Sequence, residues 1–351
     1  MQFKVTPPEK IETTIELPSS KSISNRLLIL NALSCSEHPI ENLSKCEDTQ
    51  VIIDAFNSDS NIFDVKGAGT AMRFLTAFLA TTEGEWIIKG NARMHERPIY
   101  PLVETLGVLG SEIEYLEKKG YPPLKIKGKR LEGGEVYLSG NMSSQFTSAL
   151  LMIAPTMNNG LTIHLENEVI SKPYIQLTLG LMEAYGVKSK WEGNNITIKH
   201  QQYVPTSIRV ESDWSAASYW YSIVSLMPEA QITLLGLKRN SLQGDSNLHN
   251  LFADLGVCTE FVPEGVMLKK KKISTKKFFH DFSNEPDLAQ TFAVTCCLLN
   301  VPFLFSGVQT LKIKETDRIE ALKKELLKLG FVIKESENRL MEWDGERCFP
   351  A

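Results

Sequence analysis

Residues 17–34 read LPSSKSISNRLLILNALS, so Ser20, Lys21, Ser22, Ser24, Asn25 and Arg26 stand directly ahead of an apolar run. One Ser is enough to cap a helix. A lysine and an arginine on an otherwise apolar helix are costly unless something pairs with them. Hydroxyls, an amide and two cations at a helix start have one shared chemistry, which is holding an anion. The start itself adds unpaired N–H groups and a partial positive charge. Comparable starts recur as "GAGTAMR", "MSSQF", "ESDWSAAS" and "EPDLAQ". The first of these lacks the spacing of the dinucleotide fingerprint and of the phosphate-loop lysine motif. "NARMHERP" (91–98) adds Arg93 and Arg97 just before Pro98, a favoured first helical residue. "KIKETDRIEAL" (312–322) places Lys314, Glu315, Thr316 and Arg318 at the start of an amphipathic helix, a pattern that equally fits a capped, solvated helix.

These starts belong to a repeat. An amphipathic helix closing on glycine and followed by a strand-like segment recurs as "PLVETLGVLGSEIEY", "LTLGLMEAYGVKSKW", "LHNLFADLGVCTEFV" and "IEALKKELLKLGFVI". The closing glycines are Gly110, Gly186, Gly256 and Gly330, spaced 76, 70 and 74 residues apart. A degraded copy without its glycine lies in "DTQVIIDAFNSDSNIFDV". A second helix type, apolar on nearly every face and so suited to a core, alternates with the first. Its copies are "SKSISNRLLILNALS", "AGTAMRFLTAFLATT", "SSQFTSALLMIAP", "DWSAASYWYSIVSLM" and "PDLAQTFAVTCCLLN". Short alternating runs such as "LKIKG", "ITIK" and "VMLKK" read as strands. Each unit of about 70 residues is then β-α-β-α-β-β.

Three such units make a domain with buried helices inside and sheets outside. The expected fold is α/β, with two inside-out α/β domains. The N-terminal domain takes residues 20–211 with three repeats, and residues 1–19 plus 212–351 form the C-terminal domain. Apolar helices begin near 20, 68, 143, 213 and 286, so the next would begin beyond Ala351. On this spacing the chain reads one unit short, its sixth repeat missing and a core face of the C-terminal domain uncovered.

Hydrophobic residues at 42% and charged residues at 23% of 351 are those of a soluble globular protein of about two domains. A net charge of −4 argues against a general nucleic-acid binder, so any anion must be held by a local cluster. The basic run "GVMLKKKKISTKK" (265–277) reads as a solvated hairpin. The N-terminus has no apolar signal region and no window of about 18 apolar residues occurs, so a cytoplasmic protein without membrane contact is expected. The 6 cysteines show no CxxC spacing and the 6 histidines no HExxH, so no metal is expected. Cys296 and Cys297 fall in an apolar run and read as buried thiols.

Taken in order, "SKSISNR", "AGTAMR", "RMHERPI", "MSSQF", "SKPYI", "RNSLQGD" and "KIKETDR" resemble the 5-enolpyruvylshikimate-3-phosphate synthase family over essentially the whole chain. These enzymes are also called 3-phosphoshikimate 1-carboxyvinyltransferases. The resemblance implies transfer of the enolpyruvyl group of phosphoenolpyruvate to the 5-hydroxyl of shikimate 3-phosphate, with release of phosphate. The reaction belongs to chorismate and aromatic amino acid biosynthesis. It also implies a cytoplasmic monomer with small-molecule partners, no metal and no organic cofactor. Two domains, crossing over near residues 13–19 and 210–213, would close over the substrates.

By the same resemblance, shikimate 3-phosphate would meet Lys21, Ser22, Arg26, Ser143, Ser144, Gln145, Ser171, Tyr174, Asp287 and Lys314. Phosphoenolpyruvate would meet Lys21, Gly69, Arg93, Gln145, Glu315 and Arg318. Lys21, Asp287 and Glu315 would be catalytic. In the family the glycine at the Gly69 position is also where the inhibitor glyphosate fits, since a Cβ would occupy that volume.

Some positions depart from the family pattern. Ser19 stands where it usually has Gly, Gly67 and Phe74 where Asn and Pro flank the AGTAMR segment, and Thr310 where Asn precedes KETDR. These changes bear on substrate contacts more than on the reaction. The family's sixth unit, with its Asp-His-Arg-Met-Ala helix start and a later lysine, is not found in these residues. Three other readings compete. One is the related enolpyruvyl transferase acting on UDP-N-acetylglucosamine, which "SKSISNR" and "SKPYI" fit less well. Another is an RNA 3′-phosphate cyclase-like protein, which the acidic balance disfavours. The third is a non-catalytic fragment that binds shikimate 3-phosphate, distinguishable because it would bind without releasing phosphate.

Overall fold

Runs such as "LKIKG" and "ITIK" turn one set of side chains inward and the other outward, as half-buried strands require. In the computed structural model, which describes residues 8–337 and 339–350, they form four-stranded sheets of one plan. Two parallel strands are joined through a helix (β1 and β10 are the exception, since the other unit is inserted between them as well), and a hairpin then adds the third strand antiparallel and closes the edge with the fourth. The stretch up to Pro18 together with Glu211 onward forms one compact unit. Its first sheet runs β1 (Lys10–Glu16), β10 (Glu229–Leu235), β12 (Gly265–Lys270), β11 (Val257–Val262). Its second runs β13 (Phe278–Asp281), β14 (Phe303–Ser306), β16 (Leu340–Trp343), β15 (Lys334–Ser336). The other unit, Ser19–Val210, holds β2 (Ile62–Asp64), β3 (Gly84–Lys89), β5 (Leu124–Gly128), β4 (Glu112–Tyr115). Its second sheet is β6 (Gly134–Ser139), β7 (Leu161–Glu166), β9 (Asn195–Ile198), β8 (Ser189–Glu192). The repeat read from the sequence is thus the repeat of the sheets.

In Ser19–Val210 the apolar helices α1 (Lys21–Leu33), α3 (Gly69–Thr81) and α5 (Ser144–Ile153) are packed against one another at the centre. The amphipathic α2 (Glu47–Phe56), α4 (Tyr100–Val108) and α6 (Lys172–Ala184) flank them. In the other unit α7 (Trp214–Leu226) packs on α9 (Ala289–Leu298), with α8 (Leu248–Asp254) and α10 (Arg318–Lys328) outside. Chain reversal after α4, α6, α8 and α10 needs a left-handed residue. Gly110, Gly186, Gly256 and Gly330 supply it at φ of 93°, 81°, 87° and 86°. The core of the second unit is aromatic: Phe292 lies 4.4 Å from Phe252, 5.3 Å from Phe278 and 5.5 Å from Phe282, centroid to centroid. Burying each such ring contributes about 2–3 kcal/mol.

Two expectations are corrected. The first repeat of Ser19–Val210 has no sheet of its own among the described residues; a single parallel bridge, Glu41 to Arg209, stands in its place. The linking segment "SCSEHPIENLSKC" has no apolar alternation to build strands from. Helices α7 and α9 are also not wrapped on all faces, for Tyr219, Leu226 and Leu298 are exposed. Two apolar helices cover each other on one flank, whereas three enclose a core. No helix among the described residues is long and apolar enough to cross a membrane. Cys296 and Cys297 are buried, and burial pushes the Cys297 thiol up to about 12.

Candidate functional site

In Ser19–Val210, the polar start of α1 divides into two sets. Ser20 caps the helix by accepting from the Ile23 N–H at 3.4 Å. Ser24, Asn25 and Arg26 point inward. Ser24 Oγ accepts from the Ser44 N–H, and Thr49 donates to Asn25 Oδ1, which together fix the approach to α2. Arg26, 2% exposed, donates Nε to Thr178 Oγ1 at 2.7 Å and Nη1 to the Ser22 carbonyl at 2.9 Å. Its Nη2 donates to Ser148 Oγ at 3.1 Å and to the Tyr174 carbonyl at 3.4 Å. Burial holds this guanidinium below its usual value, at about 10. A buried cation therefore ties α1 to α5 and α6, and most of its donors serve that purpose. Lys21 faces outward, 43% exposed, with Nζ 3.5 Å from Asp48 Oδ2 at the start of α2.

The other helix starts of this unit come to the same end. Gln145 Nε2 at the head of α5 donates to Thr70 Oγ1 at the head of α3, 3.2 Å away. Ser143 caps α5 and accepts from the Gln145 N–H, and Ser144 follows it, buried. Ser171 holds a left-handed backbone at φ 54° ahead of α6, and Tyr174 lies in that helix's first turn. Gly69 opens α3, and its carbonyl accepts from Arg73 Nη1 at 3.1 Å. Arg73 Nη2 also reaches the Pro98 carbonyl at 3.0 Å, clamping the 94–98 segment to the helix start. Consequently the Arg97 guanidinium lies over Gly69, where a Cβ would sit 2.4 Å from Arg97 Nη1. Arg93 turns the other way and pairs with Glu96 at 2.8 Å.

In the second unit, Asp287 sits in the helical turn Pro286–Leu288 ahead of α9. Its Oδ1 takes Arg318 Nη1 at 2.8 Å and lies 3.4 Å from Lys314 Nζ. Arg318 Nη2 bonds Glu315 Oε2 at 3.0 Å, and Nη1 also reaches Gln290 Oε1 at 3.2 Å. Burial works against the charged guanidinium, but Asp287 and Glu315 together hold Arg318 above its usual value. Asp317 caps α10 by accepting from the Ile319 and Glu320 N–H groups, which fixes the turn that carries the cluster.

Asp287, Lys314, Glu315 and Arg318 are thus brought together in one unit. Lys21, Ser22, Arg26, Gly69, Ser143, Ser144, Gln145, Ser171 and Tyr174 share one end of the other, in the first two turns of α1, the first turns of α3, α5 and α6, or just ahead of them. Arg97 and Arg73 at Gly69, and Gln290 at Arg318, were not among the expected site residues. "RMHERP" carried the signal for Arg97, since both arginines precede Pro98. A depression of about 730 Å3 follows the solvent side of α10, lined by Thr316, Glu320, Lys323 and Lys324, and one of about 370 Å3 lies against α4 and β6. Neither is lined by Asp287, Arg318 or Gly69.

This is a two-unit α/β repeat protein with cations, hydroxyls and carboxylates at the starts of its buried helices. The family described as EPSP synthase (3-phosphoshikimate 1-carboxyvinyltransferase) matches over residues 5–58 and 52–347. A 3-phosphoshikimate 1-carboxyvinyltransferase of Bacteroides fragilis is 52% identical over 348 residues, covering 99% of this chain and 85% of the relative. One of Aliivibrio salmonicida is 35% identical over 362 residues, covering 95% and 84%. A solved EPSP synthase of Acinetobacter baumannii superposes with a TM-score of 0.74 at 19% identity, over 97% of this chain and 84% of that one. The chain belongs to the EPSP synthase family.

Proposed function

We propose that the protein transfers the enolpyruvyl group of phosphoenolpyruvate to the 5-hydroxyl of shikimate 3-phosphate and releases phosphate. Membership of the family supports this reading. The observation that carries the assignment of roles is Asp287, a half-buried carboxylate set against Lys314 and Arg318. Asp287 takes the proton of the 5-hydroxyl as its oxygen attacks C2 of the enolpyruvyl group. C3 gains a proton from Glu315 or Lys21, giving a tetrahedral adduct. That proton is lost again as the C2–O bond to phosphate breaks and the double bond re-forms. Lys21 also neutralises charge on the departing phosphate.

Ser22, Arg26, Ser143, Ser144, Gln145, Ser171 and Tyr174 are assigned to shikimate 3-phosphate, with Lys21, Asp287 and Lys314. Gly69, Gln145, Glu315 and Arg318 are assigned to phosphoenolpyruvate, again with Lys21; of the two arginines, Arg97 replaces the expected Arg93, because Arg97 lies at Gly69 while Arg93 pairs with Glu96. For Arg26 the contact with substrate is made through the one Nη1 N–H left over from its helix-bridging role. The reading takes the enzyme as a cytoplasmic monomer acting on small phosphorylated metabolites, without metal or organic cofactor. The test is Asp287→Ala. Phosphate release with both substrates should fall by at least about 1,000-fold, while calorimetry still detects shikimate 3-phosphate binding. Turnover near that of the unmodified enzyme refutes the role, and binding without release by the unmodified chain refutes the activity.

A further inference from the structure

Asp245 lies in the short helical turn Gly244–Asn247 and is 3% exposed. Its Oδ2 accepts a hydrogen bond from Ser215 Oγ in the first turn of α7. Its Oδ1 is buried with no hydrogen-bond partner among the described residues. Packing brings other acids to the same place. Asp213 caps α7, and Glu285 and Asp287 come from the turn ahead of α9, which also packs on α7. Asn247 Nδ2 donates to Glu285 Oε1 at 3.0 Å, locking the Asp245 turn to the Asp287 turn. His280 Nε2 is 3.4 Å from Glu285 Oε2, and His249 Nδ1 faces the Ser246 carbonyl. The cations Lys314 and Arg318 both reach Asp287, and Arg318 also pairs with Glu315. No three His, Cys, Asp or Glu side chains among the described residues are disposed to hold a metal ion.

We propose that Asp245 is a positioning residue that keeps its proton in the resting enzyme, so that of the two buried-turn carboxylates Asp287 alone carries a negative charge against Lys314 and Arg318, beside that of Glu315. Buried carboxylates side by side do not both ionise cheaply, and the one without a cation holds the proton. Burial first, and then the Asp287 charge, pushes the Asp245 carboxyl from 3.8 up to about 8; Ser215 pulls partly back, while Asp213 and Glu285 add to the rise. Ionising Asp245 at alkaline pH puts a second negative charge behind Asp287 and weakens the hold of Lys314 and Arg318 on an anionic substrate. The effect then appears in KM before kcat. This rests on the reading of Asp287 and its cations as substrate-facing.

Infrared difference spectra of the full chain, unmodified minus Asp245→Asn, should show a protonated-carboxyl carbonyl band at pH 7 that fades above about pH 8. In kinetics, the KM for shikimate 3-phosphate should rise about tenfold between pH 7 and pH 9 in the unmodified enzyme and stay flat in Asp245→Asn. Ser215→Ala removes the hydroxyl that favours ionisation, so it should carry both transitions to higher pH. That variant decides the matter if Asp245→Asn does not fold. Absence of the band at pH 7, an identical rise of KM in Asp245→Asn, or no upward shift in Ser215→Ala overturns the proposal. The band should persist in Asp287→Asn. Full turnover by that variant, with the band intact, would sink the role of Asp287 and leave the proton of Asp245 standing.

Discussion

Gly69 is a residue whose missing side chain leaves room for a cation. Its Cα is covered by the Arg97 guanidinium, and a methyl group there would meet Nη1 at 2.4 Å, well inside contact distance. Gly69→Ala should displace Arg97 and raise the KM for phosphoenolpyruvate about tenfold or more, with shikimate 3-phosphate affinity little changed, as steady-state kinetics would report. The choice between the two arginines was not legible in "RMHERP". Both precede Pro98, and only the helical turn at Met94–Glu96 and the Arg73 clamp decide which one returns to the helix start. Asp245 was still less legible, because its burial and its acidic neighbours come from segments distant in sequence. It should also leave a mark on stability. Its carboxyl stands near 8 in the folded chain against 3.8 ordinarily, so the unfolded chain loses that proton first and stability falls as pH rises between about 4 and 8. Urea midpoints measured across that window should slope less in Asp245→Asn.

At the scale of elements, the helix starts were readable because apolar runs and polar caps are local signals, and α1, α3, α5, α7 and α9 begin within a few residues of where the pattern places them. What the pattern misjudged was the use of the polar residues. "SKSISNR" reads as one anion-binding cluster, yet Ser24, Asn25 and Arg26 bond inward to Ser44, Thr49, Ser148 and Thr178. Arg26→Ala would strip the bridge among α1, α5 and α6 and should cost about 2–4 kcal/mol, read as a lower calorimetric midpoint. Arg26→Lys keeps the charge but not the fork, and should recover only part of it. The missing sheet of the first repeat had a local signal that the repeat pattern masked: α2 retains the amphipathic pattern, while its neighbouring segment has lost strand alternation.

Across the whole molecule, the repeat length and the alternation of helix types were enough to read the two-unit plan. The aromatic centre of one unit emerges only when Phe252, Phe278, Phe282 and Phe292 meet from separate elements. Because each unit has its own apolar core, damage should stay local. Phe292→Ala should cost the unit that contains it about 3–5 kcal/mol, so that one component of a calorimetric trace moves down while the other keeps its midpoint. The pairing of β1 with β10 reaches further still. Lys10 lies opposite Glu229, although along the chain everything from Ser19 to Val210 intervenes. A ribosome adding about 5–20 residues per second leaves the emerging strand without its partner for roughly 10–40 s. During that wait its Lys10, Glu12 and Glu16 discourage pairing with strangers. The interrupted half of the protein is therefore begun first and finished last.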